Sequence, residues 1–411
     1  MTRDCMVLAE SLPRLCLGHP RIEQDCRLRP MLSVFAAITV ACVMIGSSAS
    51  SPATEPSRWQ YSPEQLQPFW KADVIERESV LFIRDPATGE ARASVLFPIQ
   101  KIISVQDSTG AITYEPGVDF DHASGSREIS VPSTSRIETK SAADLRRPDN
   151  SQNYKLTHRD GNGEILFGGK LEYHSMQSWI TYSKAADDWP VAMPAFDPSA
   201  LPLTIGKLQN RQAVSVVLLG DSISTGCNAS AWGGAAPFQP AYQDLLKQHL
   251  ESHYKTTIEL TNLSVGGTST PWGVLQIPTV VESKPDLILL AFGMNDSAGR
   301  SPADYGESIS QMISTARETL PDVEFILVAT MLGNRDWTTL NHDVFPKYRD
   351  QLASLCEPGI ALADMTSVWQ EFLLRKKDHD LTGNGVNHPN DFGHRVYAQV
   401  LSALLVDEAP R

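Results

Sequence analysis

The chain has 411 residues, 42% apolar and 20% charged, with mean hydropathy −0.20. This is the composition of a globular protein, with length enough for two domains that each bury a core. The formal charge of −13 excludes a polyanion binder of the usual kind, which needs a basic patch to displace counterions from phosphates.

In chain order, Arg27 and Arg29 precede an apolar run at 34–45, broken only by Thr39, and then small residues at 46–51. A charged region, a short apolar region and a small-residue cleavage zone predict a signal peptide over residues 1–50, preceded by a mis-called extension if Met31 is the true start. The run is short for a bilayer span, so the expected location is periplasmic or secreted. Lipid attachment at Cys42 is the weaker reading, because Thr39 suits that pattern poorly and the apolar run continues past Cys42. Removal of residues 1–50 takes away Cys5, Cys16, Cys26 and Cys42, with five arginines and four acids, and leaves a charge of −14. Cys227 and Cys356 remain, either as one disulfide or as two thiols.

Short runs rich in Val, Ile, Phe and Tyr then predict strands at 79–83, 93–97, 102–106, 112–114, 128–131, 164–167, 170–173 and 179–182. Turn sequences such as Asp107-Ser108-Thr109-Gly110 and Asp160-Gly161-Asn162-Gly163 separate them. The pattern suggests an all-β sandwich of jelly-roll type over residues 55–205. Pro190, Pro194, Pro198 and Pro202 at its end read as an extended linker. From Val214 the period changes. Apolar strands are expected at 214–219, 286–292, 325–329 and 360–363, with helices at 241–254, after Ser301-Pro302 and from Asp391. Strands alternating with helices imply a parallel sheet covered on both faces over residues 210–411. The cationic run Arg375-Lys376-Lys377 reads as the solvated last turn of a helix, where cations suit the dipole.

Four segments of this half carry chemistry-bearing residues. Gly220-Asp221-Ser222-Ile223-Ser224 follows the first strand, so Ser222 emerges at the carboxyl edge of the sheet, where such folds bind ligands. Its N–H there suits an oxyanion; a capping serine is the plain alternative. The segment is not a Gly-x-Ser-x-Gly elbow, because Ser224 occupies the second glycine position. Gly266-Gly267 permits close approach of backbone to a ligand, or is an ordinary loop. Asn295, in Gly293-Met294-Asn295-Asp296, is an amide donor at a strand exit, or a turn residue. His388, in Gly385-Val386-Asn387-His388-Pro389-Asn390, precedes the last helix on a loop. A neutral imidazole can take a serine proton and return it to a leaving alcohol. His394, inside the helix start, caps or packs.

The order, spacing and strand-end positions of these segments resemble the four blocks of the SGNH/GDSL hydrolase family, over roughly Val214 to Leu405. The resemblance implies a three-layer α/β/α sandwich with Ser222 as nucleophile and His388 as general base. It also implies an oxyanion hole from Ser222, Gly267 and Asn295, with no metal and no cofactor. One position departs from the pattern: Gly385 stands where the family has an aspartate that orients the histidine. Three arrangements are open. A backbone carbonyl orients His388 in a Ser–His dyad, a carboxylate such as Asp391, Asp380 or Asp364 folds into place, or the enzyme is impaired. The remaining intact blocks favour an active site, since serine sites lacking the full triad retain part of their rate enhancement.

Export, an added β-domain and such a hydrolase module resemble two-domain carbohydrate esterases, which implies hydrolysis of O-acyl, chiefly O-acetyl, esters. Trp232 and Trp272 follow the nucleophile and Gly-Gly blocks, where an indole face can stack on a sugar. The small residues of Gly233-Gly234-Ala235-Ala236-Pro237-Phe238 suit a short acyl group. The alternatives are a lipase-like esterase for longer acyl chains and a glycan-binding protein that has lost catalysis. The expected partner is an acylated carbohydrate or small ester, with no nucleic acid and no stable membrane span. The sequence leaves the oligomeric state and the role of the β-domain open.

Overall fold

Five Val-, Ile- and Leu-rich strands run parallel in the order Ile258–Asn262, Val214–Gly220, Leu287–Ala291, Glu324–Ala329, Ile360–Asp364. Alternate side chains leave a strand on opposite faces, and they separate accordingly. Val216, Leu218, Leu289 and Ile326 enter one apolar cluster, while Val217, Leu219, Ile288 and Leu327 enter another. Helices Tyr242–Tyr254, Met365–Arg375 and Asp391–Leu405 pack into the first cluster; Thr270–Glu282, Pro302–Thr319 and Phe345–Ser354 pack into the second. Coverage on both sides is why these strands read as continuous apolar runs. The architecture is the expected three-layer α/β/α sandwich.

This computed structural model describes residues 58–407 except Lys170 and Asp188. The signal-like segment and Cys5, Cys16, Cys26 and Cys42 lie outside the described residues. Among the described residues no helix is long and apolar enough to cross a membrane. Cys227 and Cys356 are free thiols.

Helix starts follow their sequence signals. Ser301 Oγ accepts from Asp304 N at 3.1 Å ahead of Pro302–Thr319, and Asn390 Oδ1 accepts from Gly393 N at 3.0 Å ahead of Asp391–Leu405. Each satisfies a backbone donor that the first turn leaves unpaired. The last helix is buried on every side, because chain from the N-terminal half covers its outer face. There, Val74–Val80 pairs with Ser178–Lys184, which pairs with Ile99–Asp107, all antiparallel. A second sheet is built on Phe82–Arg84, Ala91–Ser94 and Glu128–Val131 with two-residue strands at its edges. Ile75, Val105 and Ile180 of the first sheet and Phe82, Ala93 and Ile129 of the second join one core with Phe372, Val396 and Leu401.

Several local expectations are corrected. Residues 112–114 form no strand; Thr113 makes only an isolated bridge to Gln106. Of the strand expected at 170–173, Lys170 lies outside the described residues, and residues 172–173 belong instead to a helical turn, Glu172–Met176. Tyr173 and Met176 stand three residues apart, the spacing of one helix face, and both pack with Leu81 and Leu166. The proline-rich stretch has no regular structure, yet Trp189, Met193 and Phe196 pack half-buried on the main core. Pro202 opens a helix, Pro202–Gln209.

The run Arg375-Lys376-Lys377 is not a solvated turn. Lys376 Nζ is fully buried, 2.6 Å from Glu78 Oε1, and donates to the carbonyls of Ser79 at 2.8 Å and Ser94 at 3.0 Å. Arg375 pairs with Asp187 and Glu371, each at 2.7 Å, and lies over the rings of Phe97 and Trp189. The N-terminal strands cap the end of helix Met365–Arg375 and bring the carboxylate that makes a buried ammonium tolerable. Lys377 alone is exposed.

Candidate active site

Strand Val214–Gly220 lies between Ile258–Asn262 and Leu287–Ala291. The chain therefore leaves its neighbours in opposite directions, which opens a crevice at their carboxyl ends. Ser222 stands on the turn beyond this strand. A Cβ at Gly220 would lie 2.5 Å from Ala291 O, so glycine is needed where the two strand ends converge. Asp221 Oδ1 then accepts from Ile223 N at 3.0 Å, and the Ser222 carbonyl is held by Thr225 Oγ1 at 2.8 Å and Cys227 N at 3.2 Å. Burial, reinforced by Asp296, pushes the Asp221 carboxyl up to about 7. The Ser222 side chain emerges from this rigid turn with the residue 8% exposed.

His388 Nε2 lies 2.8 Å from Ser222 Oγ, across 166 residues of sequence. Its loop is shaped by Asn384, whose Oδ1 accepts from the backbone N–H groups of Val386, Asn387 and His388 at 2.9, 3.0 and 3.2 Å. Burial, with a smaller push from His394, lowers the imidazole pKa to about 3. The ring is therefore neutral at physiological pH, with a lone pair available to a hydroxyl proton.

The other two segments reach the same place. Gly267 has φ of +79°, a conformation that glycine adopts without penalty. A Cβ on its neighbour Gly266 would lie 3.6 Å from Ser222 Cβ, so this loop runs beside the serine. Asn295 Nδ2 donates to Thr268 O at 2.8 Å, and Thr270 N donates to Asp296 Oδ1 at 3.0 Å. These bonds tie the Gly-Gly loop to the Asn295 loop and leave Asn295 a second amide hydrogen.

The carboxylates suggested as orienting acids are engaged elsewhere. Asp391 Oδ1 accepts from Ser230 N at 2.7 Å. Asp380 accepts from Leu81 N at 2.7 Å and Lys377 N at 3.0 Å. Asp364 caps its helix through Ser367 N at 2.9 Å. All three stand at helix starts, where unpaired N–H groups attract a carboxylate. His388 Nδ1 instead meets Asn228 Oδ1 at 2.8 Å, with Asn384 Nδ2 at 3.0 Å. Sequence reasoning missed Asn228, which sits six residues after Ser222 in a loop of turn-forming types. The missing acid at 385 was the one hint that another polar side chain had to be sought.

The tryptophans diverge. Trp232, on the turn Ser230–Gly233, is 40% exposed. Trp272 is half-buried and packs edge-on against Phe292, so most of its surface serves the core. His394 is buried, with Tyr242 N donating to Nδ1 at 3.3 Å and Nε2 3.2 Å from Cys227 O. A cavity of about 550 Å³ near Tyr173, Asn334 and Asp378 is lined by none of Ser222, Gly267, Asn295 or His388. Among the described residues no three His, Cys, Asp or Glu side chains converge to hold a metal ion.

Gly385 explains why no acid stands at its own position. Its φ is +80°, and a Cβ there would fall 2.4 Å from the Tyr173 ring. Gly385→Asp is therefore expected to destabilise the protein by about 2–4 kcal/mol, from backbone strain and overpacking together. Urea unfolding measures this, and an unchanged midpoint would show that Tyr173 yields without cost.

Fold and site geometry together resemble a hydrolase domain of the SGNH/GDSL type. Residues 218–396 match the model of the GDSL-like Lipase/Acylhydrolase family. Among solved structures it is similar to a two-domain esterase (CEX) active on acetylated mannans, with 17% identity and TM-score 0.41 over 51% of this chain and 53% of that one. The chain thus spans about half the length of that esterase. It is also similar to Axe2, an acetyl-xylooligosaccharide esterase from Geobacillus stearothermophilus, with 19% identity and TM-score 0.40 over 47% and 95% of the two chains. A third is LAE5, an α/β hydrolase from the metagenome of Lake Arreo, with 23% identity and TM-score 0.38 over 46% and 94%. No match was found among curated protein sequences.

Proposed function

We propose that this chain is an exported serine esterase that removes short O-acyl groups, acetyl above all, from carbohydrate. The observation that carries the reading is the 2.8 Å approach of His388 Nε2 to Ser222 Oγ at the carboxyl edge of the sheet, beside a Gly-Gly loop and a tethered amide. In the proposed reaction Ser222 Oγ attacks the acyl carbon as Nε2 takes its proton. The carbonyl electron pair moves onto oxygen, held by the N–H groups of Ser222 and Gly267 and the second amide hydrogen of Asn295. Collapse breaks the bond to the alcohol oxygen, which receives the proton from His388. Water, deprotonated by the same nitrogen, then hydrolyses the acyl-serine, releasing the acid and restoring the hydroxyl. The small residues of 233–236 support a short acyl group, and the exposed Trp232 supports a sugar partner. The signal-like N-terminus supports export.

The test combines a fluorophosphonate probe with a series of esters. The probe is expected to label the wild-type protein and not Ser222→Ala. The value of kcat/KM should fall from p-nitrophenyl acetate to the octanoate, and acetylated xylan or glucomannan should release acetate. Absence of labelling would leave a glycan-binding protein. A preference for octanoate would make the chain lipase-like and sink the deacetylase reading.

A further inference from the structure

We infer that Asn228 takes the place of the missing acid as the positioning residue of His388, with the N-terminal half fixing its orientation. This rests on the esterase reading for its kinetic consequences, though not for its geometry. An asparagine is ordinarily a poor substitute for the acid of a Ser–His–Asp triad. Its NH2 can face the imidazole and impose the tautomer that carries hydrogen on Nε2, which costs a serine protease about four orders of magnitude. Here the amide cannot turn that way without loss. Asn228 Nδ2 donates to Gly169 O at 2.9 Å and to Gly383 O at 3.0 Å. Two carbonyl acceptors thus claim both amide hydrogens and leave Oδ1 against His388 Nδ1 at 2.8 Å. Asn228 is 5% exposed and has φ of +66°, a conformation that asparagine tolerates better than most residues.

The rival at Nδ1 is Asn384 Nδ2 at 3.0 Å. It has another acceptor in Asn387 Oδ1 at 3.1 Å, whereas His388 Nδ1 is the hydrogen-bond partner found for Asn228 Oδ1. With hydrogen on Nδ1, the buried oxygen of Asn228 is satisfied and Nε2 presents its lone pair to Ser222. With hydrogen on Nε2, that oxygen faces a lone pair and is left unsatisfied, which disfavours that tautomer. The N-terminal half contributes twice. Gly169 supplies one of the two carbonyls, and the Tyr173 ring occupies the space into which a side chain at 385 would extend.

A neutral partner also leaves the imidazole without the charge that normally raises its pKa. Burial then dominates and lowers it to about 3, so the base stays unprotonated into acid. The acid limb of kcat/KM is accordingly expected below pH 5 in the wild-type protein. Placing a carboxylate on Nδ1 favours the imidazolium and raises the pKa of the ring. Asn228→Asp should therefore move the acid limb upward by at least about one pH unit while retaining measurable turnover.

Two measurements on the full mature protein test the inference. Long-range 1H–15N correlation spectra, with the His388 signals assigned by comparison with His388→Gln, should show hydrogen on Nδ1 and a bare Nε2 in the wild type. In Asn228→Ala that preference should weaken. With p-nitrophenyl acetate, Asn228→Ala should lose on the order of 10²- to 10³-fold in kcat with KM within a few-fold. An Nε2–H tautomer in the wild type, as donation from Asn384 would impose, overturns the inference. So does an active Asn228→Asp whose acid limb stays where it was, or an Asn228→Ala with unchanged kcat. The spectra read the tautomer even if no ester is turned over, so failure of the esterase reading and failure of this one are separable.

Discussion

Replacing His388 with glutamine is expected to lower kcat for p-nitrophenyl acetate on the order of 10⁴-fold or more, with little change in KM. A serine hydroxyl is almost wholly protonated at neutral pH, and without a base 2.8 Å from Oγ its proton has no acceptor as the new bond forms. Glutamine keeps polar atoms near the positions of the ring nitrogens but cannot accept and return a proton. What survives comes from the oxyanion donors and from substrate binding, which in other serine enzymes leave a small residual acceleration over water. Stopped or steady-state assays at pH 7, with the unfolding midpoint measured on the same sample, separate chemistry from folding. A loss of less than tenfold would remove His388 from the role of base.

The second large effect concerns stability. Lys376→Met should cost about 3–5 kcal/mol, because it leaves the buried carboxylate of Glu78 without its ammonium. Glu78 would keep only Tyr182 OH at 2.7 Å and Leu96 N at 2.8 Å. Burial already raises the Glu78 pKa even with the lysine present, and removing the cation raises it further. A carboxyl with a raised folded pKa destabilises the native state most at high pH, where the unfolded chain ionises freely. The deficit should therefore narrow as pH falls toward the ordinary carboxylate range. Adding Glu78→Gln should recover much of the loss, so the double mutant should be far from additive. Urea unfolding at pH 5 and pH 8 checks both; additive losses would mean that the pair is not coupled.

The parallel-sheet half was legible because its signals are local and periodic. Continuous apolar strands, the Ser301-Pro302 start and the stripe of Tyr305, Ile309, Met312, Ile313, Ala316 and Leu320 need no partner to be read, and all of that stripe but the half-buried Leu320 is buried. The four site segments were legible for a related reason, since each stands at the end of such an element. What stayed hidden depends on contacts between distant segments. Lys376 looks solvated until Glu78, 298 residues away, is placed against it. Residues 170–173 have the composition of a strand, yet the packing of Tyr173 and Met176 on Leu81 and Leu166 goes with a helical turn over Glu172–Met176. Asn228 carries no signature at all. Its role depends on two carbonyls, from positions 169 and 383, that no spacing rule brings together.

The pairing of Gly385 with Tyr173 has a consequence for how this active site can change. Restoring an aspartate at 385 is blocked while the aromatic ring remains, and shrinking the ring first opens a hole where it packs with Leu81, Leu166 and Met176. Each single step is harmful, and only both together lead to a conventional triad. The two positions are thus joined by sign epistasis. A library that varies 173 and 385 one at a time will find no path to an acid at 385, whereas one that varies them jointly can reach it.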